Sequence, residues 1–226
     1  MKIGVLGTGG VGQTLAGKLA ELGHEVMVGT RDVAQTLGRT APDGYGNPSF
    51  ATWLEGHTAV QLGTFAEATA HGELIVNATN GSAALEILHQ AGAANLAGKA
   101  LLDITNPLDF SQGMPPTLFV KDSDSLAEQI QRTFPEAHVV KSLNTLTAHL
   151  MVTPRALADG AHTVFVSGND SAAKAQVTTL LASFGWQDII DLGDISTARG
   201  TEMWLPIWLR LWGALQTPSF NLKIVR

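Results

Sequence analysis

The chain has 226 residues with a formal net charge of −6, and 45% of its residues are hydrophobic. This length is sufficient for one large core, and the negative balance argues against nucleic acid as a general partner, because phosphate binding needs a basic face. The absence of cysteine excludes disulfides, thiolate zinc sites and a cysteine nucleophile.

The amino end reads as a strand, a glycine turn, a helix and a second strand. The apolar residues 3–6 are followed by helical spacing at Val11, Leu15 and Leu19, and residues 25–29 form the next apolar run. The glycines Gly7, Gly9 and Gly12 fit the G-x-G-x-x-G fingerprint in this strand–turn–helix setting, which is typical of dinucleotide binding.

Each glycine of the fingerprint has a physical role. Gly7 permits the tight turn, Gly9 lets the backbone approach a diphosphate, and Gly12 allows the helix to pack on the strand. The free N–H groups and the dipole of the helix then hold the anion. The predicted diphosphate site consists of the turn and the first helical residues: Gly7, Thr8, Gly9, Gly10, Val11 and Gly12.

The end of the second strand indicates which nucleotide binds. Sites that prefer NAD usually have Asp or Glu here, about 20 residues past the glycines, whereas this chain has Thr30-Arg31. A guanidinium offers a planar fork of donors that suits the 2′-phosphate of NADP(H), and a hydroxyl can add another. The alternative for Arg31 is a solvated surface arginine. Asp32 comes one residue too late and is predicted to cap the next helix.

Further strands and helices alternate along the chain. A loop at residues 43–48 precedes a short helix that Ser49 caps, and Ser82 and Ser123/Ser125 are predicted to cap later helices. The predicted strands are 59–62, 73–77, 99–104, 138–143, 163–166 and 188–192, and the helices between them include 65–70 and 171–184. This alternation predicts an α/β fold with a doubly wound, mainly parallel, Rossmann-type sheet, which we assign to a domain of residues 1–194.

Residues 195–226 form a separate C-terminal helical segment in this interpretation. Helical pattern runs over residues 196–215, where Pro206 either kinks the helix or begins its second half. Trp204, Trp208 and Trp212 share one face, and the helix is too short for a membrane span of roughly 20 residues. Either it is an ordinary core helix, or it packs on its own sheet and on a second subunit, and we favour the homodimer because apolar residues surround the helix.

The carboxyl ends of the strands carry neutral hydrogen-bonding groups. In an open parallel sheet, ligands bind at this edge. The predicted cofactor-binding residues at these strand ends are Asn77, Ala78, Thr79, Asn106, Pro107 and Asn144. Such groups suit alignment of nicotinamide with a flat redox ring better than protonation of an alkoxide. A weak candidate for a proton donor is His149, and the scattered histidines predict no metal site.

The chain resembles the coenzyme F420-dependent NADP oxidoreductases. The resemblance rests on residues 7–12 with Thr30-Arg31, the Asp-Ile-Thr-Asn-Pro-Leu segment at 103–108, and the Lys-Ser-Leu-Asn-Thr segment at 141–145. It implies an NADP(H)-dependent oxidoreductase that transfers a hydride between nicotinamide and F420 or a flavin.

Two alternative functions stay open, and the sequence predicts where in the cell the protein is located. The chain is either a reductase of a small carbonyl or imine, with His149 or Asp109 as proton donor, or an NADP-binding redox sensor without turnover. Because the fingerprint begins almost at Met1 and no signal peptide precedes it, we expect a cytoplasmic protein with no membrane partner.

Overall fold

The computed structural model describes residues 1–42, 44 and 46–226, so Asp43 and Tyr45 of the predicted 43–48 loop lie outside the described residues. The strands are β1 (Lys2–Leu6), β2 (Glu25–Thr30), β3 (Val60–Thr64), β4 (Leu74–Asn77), β5 (Ala100–Asp103), β6 (Leu108–Asp109), β7 (Thr117–Leu118), β8 (His138–Ser142), β9 (Thr163–Gly168) and β10 (Asp188–Gly193). Eight of them form one sheet in the order β10-β9-β8-β5-β4-β1-β2-β3, and β6 and β7 form a short hairpin. This arrangement confirms the predicted mainly parallel, Rossmann-type α/β fold.

The last two strands of the sheet run against the others. Strands β1, β2, β3, β4, β5 and β8 pair in parallel, whereas β9 pairs antiparallel to β8 with Ser142 opposite Val166. Residues 143–162 stay at the carboxyl edge of the sheet, so β9 enters from that edge. The carboxyl ends of β9 and β10 therefore lie at the opposite edge and cannot contribute to a site beside β1 and β5.

Helices cover both faces of the sheet. They are α1 (Gly10–Glu21), α2 (Val33–Gly38), α3 (Phe50–Glu55), α4 (Phe65–His71), α5 (Ala84–Ala91), α6 (Ala93–Leu96), α7 (Leu126–Thr133), α8 (Ala148–Val152), α9 (Ser171–Phe184), α10 (Ala198–Met203) and α11 (Leu205–Leu215). Alternate strand residues face opposite layers: Val5 and Val76 pack with α1 and α9, while Leu6 and Ile75 pack with α5 and α7. None of the helices in the described part of the chain is long and apolar enough to cross a membrane.

Most predicted helix starts are confirmed, and one is wrong. Asp32 accepts a hydrogen bond from the Gln35 N–H, and Ser49 and Ser125 cap α3 and α7 in the same manner. Ser82 does not cap α5, because a short 3₁₀ turn intervenes. Asn80 accepts from the Ser82 N–H at the start of that turn instead. Pro206 lies in the first turn of α11, where a missing N–H costs nothing, so it begins the second helix rather than kinking one.

Candidate functional site

The glycine turn, residues 7–12, connects β1 to α1, and two of its glycines have no room for a side chain. Gly7 has a φ of +115°, and a Cβ there would lie 2.6 Å from the Ala78 carbonyl oxygen. A Cβ on Gly12 would lie 2.0 Å from the Gly7 carbonyl oxygen, so helix and turn are in direct contact. A Cβ on Gly9, by contrast, would meet nothing within 4 Å among the described residues. Only Gly9 therefore presents open backbone to a ligand.

The amino end of α1 is available to an anion. Gly9 precedes the helix with extended backbone, and in the described chain no side chain caps this end. The first-turn N–H groups of a helix lack intrahelical partners, and together with the helix dipole they favour a negatively charged group. Gly10 begins α1 half-buried, and Val11 packs its side chain on the core below. The geometry fits a diphosphate as the sequence predicts.

Asn47 and Pro48, just before α3, contact the glycine turn and the adjoining Gln13, and the sequence did not predict this contact. The buried Gln13 amide donates to the Thr8 carbonyl oxygen at 3.0 Å and to the Pro48 carbonyl oxygen at 3.3 Å. The side chain of Asn47 lies beside Gly10, since a Cβ there would be 3.1 Å from its amide nitrogen. A glutamine on a helix gives no sequence signal for such a long-range bond, so only the structure reveals this contact.

Thr30 and Arg31 differ in what they can reach. The Thr30 hydroxyl is buried, 2.7 Å from the Thr36 hydroxyl of α2. The Arg31 side chain is 60% exposed, and its Nη2 lies 3.2 Å from Glu86 Oε1 on α5. Arg39, at the C-terminal end of α2, is exposed and donates to Gln35. Arg31 is therefore the accessible member of the predicted pair, and it retains guanidinium N–H groups for a phosphate.

Asn77 lies beneath the site rather than in it. Its completely buried amide donates to Asp103 Oδ1 at 2.9 Å, and its carbonyl oxygen accepts from the Thr79 hydroxyl at 2.7 Å. The half-buried residues above it, Ala78 and Thr79, continue the edge beside the glycine turn. The Asn77 side chain therefore supports the turn that follows β4 and does not itself face a ligand.

Two asparagines join the loops after β5 and β8. The Asn106 amide donates to the Asn144 backbone oxygen at 3.0 Å, and the Asn144 amide donates to Asn106 Oδ1 at 2.9 Å. We call this pair the asparagine clasp. The preceding Leu143 has a φ of +60°, a left-handed conformation that costs a branched residue free energy and recurs at functional sites. Pro107 is buried, and its carbonyl accepts from the Phe119 N–H.

A fully buried group of charges lies behind the clasp. Lys141 Nζ is 2.7 Å from Asp103 Oδ2 and 2.8 Å from Glu202 Oε1, and we call these three residues the lysine triad. Burial by itself lowers the pKa of Lys141, but the charges and hydrogen bonds of Asp103 and Glu202 outweigh it and hold that pKa above its ordinary value. Lys141 is thus an interior residue of β8, and Asp103 is the hydrogen-bonding partner of both Lys141 and Asn77. Glu202 carried no signal in the sequence.

The proton-donor candidates are weakly placed. His149 is exposed on α8, which packs against α1. Asp109 accepts hydrogen bonds from Ser111, which lower its pKa and keep it ionised at neutral pH. An ionised carboxylate cannot donate a proton, so of these two only His149 remains for that role. Within the described residues, no three His, Asp or Glu side chains gather as a metal site would require.

Helix α11 exposes much of its apolar surface. Ile207 is 44% and Leu215 is 53% exposed, and Leu205 is the buried member of the helix. A cavity of about 240 Å³ lies between α11 and the loop after β6, lined by Met114, Leu209, Trp212, Gly213 and Gln216. In the described chain α11 buries Leu205 and contacts α10 rather than the sheet, so the predicted packing of one face on the sheet is not seen, and the second subunit stays a prediction.

Comparison with known proteins agrees with this geometry. Residues 2–107 match the family described as NADP oxidoreductase, coenzyme F420-dependent. A proposed F420-dependent NADP reductase from Arthrobacter sp. FB24 is 63% identical over 100% of both chains, and its crystal structure superposes with a TM-score of 0.97. An imine reductase from Aspergillus terreus, 20% identical over 95% of this chain and 62% of that one, has a TM-score of 0.64 and shares the fold.

The curated relatives are longer proteins. The metalloreductase STEAP3 of Rattus norvegicus is 29% identical over 219 residues, and STEAP2 of Homo sapiens is 26% identical over 216 residues. These alignments cover 96% and 93% of this chain but only 38% and 37% of the relatives. The chain thus spans less than two fifths of the length of the curated relatives it matches.

Proposed function

The chain belongs to the family of coenzyme F420-dependent NADP oxidoreductases, and from this premise we propose that it transfers a hydride between NADP(H) and a flat redox partner such as F420 or a flavin. The observation that carries the proposal is the glycine turn. Its backbone is open at Gly9, and in the described chain no side chain caps the helix end that follows. The exposed guanidinium of Arg31 lies at the end of the neighbouring strand.

The glycine turn holds the diphosphate and Arg31 holds the 2′-phosphate. The backbone N–H groups at the start of α1 donate to the diphosphate, and Gly9 keeps the approach free of side chains. Arg31 contacts Glu86 through one nitrogen, so a phosphate dianion at the ribose competes with a single exposed carboxylate. NADH has no phosphate to offer Arg31, and the preference for NADP(H) follows.

The asparagine clasp orients the nicotinamide. When bound, NADP(H) supplies or accepts the hydride at its nicotinamide ring. Asn106 uses one amide hydrogen and one lone pair within the clasp, which leaves a second hydrogen and a second lone pair for a carboxamide. Because neither clasp residue titrates, the chain's contribution is alignment of two rings, which a transfer between conjugated systems needs most.

The cavity beside α11 is the site we assign to the redox partner. Met114 and Trp212 offer a polarisable wall and an aromatic face, which suit a planar ring. Met114 lies in the loop after β6, and this strand follows Asn106 and Pro107 in the chain. A Trp212→Ala variant is expected to raise the KM of the acceptor with little change in the KM of NADPH.

A homodimer through α11 completes this proposal. A second copy would cover Ile207, Leu215 and the other exposed apolar residues, whose contact with water is unfavourable. Sedimentation of the wild-type chain and of an Ile207→Glu variant measures this directly: a dimer that the charge converts to a monomer is expected, and a wild-type monomer contradicts it. A cytoplasmic location remains a prediction from the sequence.

The test of the function is a spectrophotometric panel with purified protein and NADPH. F420, FMN and a set of carbonyls and imines are offered in turn, and oxidation of NADPH is followed by absorbance. We expect turnover with F420 or FMN, at a rate that His149→Ala changes by less than about threefold. Turnover confined to a carbonyl or imine, with a His149→Ala loss far above tenfold, supports the reductase alternative. Binding of NADPH with no turnover on any acceptor supports the sensor.

A further inference from the structure

The lysine triad is built at high energetic cost and lies outside the chemistry proposed above. Lys141, Asp103 and Glu202 are each at most 1% exposed, and two carboxylates share one ammonium. A buried ion pair is weak evidence for stability, because apolar residues of similar volume serve a core as well or better. Apolar residues at all three positions together could therefore fill the same space, so the charges need a reason other than packing.

Each member of the triad holds a loop at the carboxyl edge of the sheet, where we place the nicotinamide. Asp103 accepts from the Asn77 amide and from the Thr105 hydroxyl at 2.9 Å each, which ties down the turns after β4 and β5. Lys141 also donates to the Thr105 carbonyl oxygen, one residue before Asn106. The ammonium thus uses all three of its donors, on two carboxylates and one loop carbonyl.

Glu202 connects the C-terminal segment to this edge. Its carboxylate accepts from the backbone N–H groups of Leu126 at 2.7 Å and Ala127 at 3.1 Å, at the start of α7. The preceding residue, Thr201, accepts the Asn144 amide through its carbonyl at 3.0 Å. The Glu202 carboxylate therefore connects α10 to both α7 and β8, and the α10 backbone is a direct partner of the asparagine clasp.

We infer that Glu202 and Lys141 are positioning residues for hydride transfer, and this inference rests on the function proposed above. Their ion pair holds α10 against β8. The Thr201 carbonyl oxygen, which accepts from Asn144, and the loop at Thr105, which precedes Asn106, are thereby kept in place beside the clasp. The clasp then limits the angles that the nicotinamide ring adopts. The C-terminal segment thus contributes to the site at the carboxyl edge of the sheet as well as to the proposed dimer contact.

The chain offers a matched control at the same helix start. Glu128 of α7 is also buried and also bound by a cation, with Arg199 Nε donating to its Oε2 at 2.9 Å. Its bonds run to Ser125 and to Arg199 of α10, so Glu128 also joins α10 to α7, but it contacts neither Lys141 nor the clasp. Glu128→Gln therefore removes a comparable carboxylate from α7 without touching Lys141, Asn106 or Asn144.

The experiment compares Glu202→Gln with Glu128→Gln in the full chain by two measurements. Stopped-flow single turnovers give the hydride-transfer rate constant at saturating NADPH with F420 or FMN, and titration gives the Kd of NADPH and the fluorescence lifetime of its bound nicotinamide. We expect Glu202→Gln to slow transfer about tenfold and shift the lifetime, with a Kd change below about threefold, because the glycine turn and Arg31 are untouched. Glu128→Gln should leave all three within twofold.

Two results overturn the inference. One is a Glu202→Gln protein with wild-type transfer rate and lifetime, and the other is an equal loss in Glu128→Gln, which marks a general effect at α7. If Glu202→Gln does not fold, Glu202→Asp keeps the charge with a shorter reach and should show a smaller loss of the same kind, whereas wild-type values there overturn the inference. A wild-type protein that binds NADPH without turnover contradicts the proposed function, and the lifetime comparison still decides the role of Glu202.

Discussion

The glycine turn and the asparagine clasp lie at the same edge of one sheet but are built in opposite ways. The turn presents bare backbone, an uncapped helix end in the described chain and a guanidinium that is 60% exposed. The clasp presents side chains whose amides bond each other, in front of a triad that is fully buried. Under the proposed function, this difference separates two tasks: the glycine turn binds a charged nucleotide that arrives from water, and the clasp and the triad fix the geometry with buried and half-buried groups.

The largest expected effect comes from removing the cation of the buried lysine triad. Lys141→Met leaves two carboxylates buried without their cation, which typically costs about 3–5 kcal/mol. Urea unfolding should show a loss of that size or a chain that no longer folds. A loss below about 1 kcal/mol would mean that the triad is not charged in the folded chain.

The second expected effect separates two glycines of the turn. In Gly12→Ala the new Cβ clashes with the Gly7 carbonyl oxygen, so both the melting temperature and NADPH affinity should fall, the affinity by about 100-fold or more. In Gly9→Ala the Cβ meets no described protein atom within 4 Å, so the melting temperature should hold while NADPH binding weakens. Gly200→Ala, also in open space, serves as the control. Tight NADPH binding by Gly9→Ala would argue against a diphosphate at this turn.

The third expected effect tests the role of the Arg31 charge beside the glycine turn. Arg31→Ala removes charge-assisted hydrogen bonds worth about 1.5–3 kcal/mol, or about 10- to 100-fold in Kd for NADPH. NADH affinity should change by less than about threefold, because its ribose carries no phosphate. Arg39→Ala is the matched control, since Arg39 donates to Gln35. Equal losses for both nucleotides would remove the basis for the cofactor preference.

The smallest expected effect lies away from both regions, at Asp124. Hydrogen bonds from Arg132 lower the pKa of Asp124 to about 2, below the ordinary value near 3.9. The carboxylate is partly exposed, so Asp124→Asn should cost less than about 1 kcal/mol at pH 7. Because the folded pKa is the lower one, the contribution is complete above about pH 4 and is lost as the pH falls through about 2. Unfolding curves of both proteins across that range check the sign, and a difference that grows toward low pH would contradict it.

The sequence predicted the glycine turn more fully than it predicted the asparagine clasp and the lysine triad, and the reason is physical. The glycine spacing and the caps Asp32 and Ser125 act within a few residues of their own backbone, and such local rules leave a spacing signal. The bond between Glu202 and Leu126 spans 76 residues, and the bond between Gln13 and Pro48 spans 35. Contacts of that kind depend on which elements the fold brings together, and no local pattern encodes them.

Two further differences have the same origin. Asn77 ends a strand at the expected edge, but its amide turns inward because buried Asp103 on the adjacent strand needs donors. Strands β9 and β10 have the apolar pattern of the other strands, yet their direction depends on where residues 143–162 leave them. A strand's pattern records which residues are buried, whereas its direction is set by the connection before it.

The central claim is that the glycine turn and Arg31 select the phosphorylated nucleotide, and calorimetric titration of the wild-type chain with NADPH and NADH tests it most directly. The account predicts that NADPH binds at least about ten times more tightly than NADH, with a preference that weakens as salt is raised. Equal affinities for the two nucleotides, or no binding of either, would contradict it.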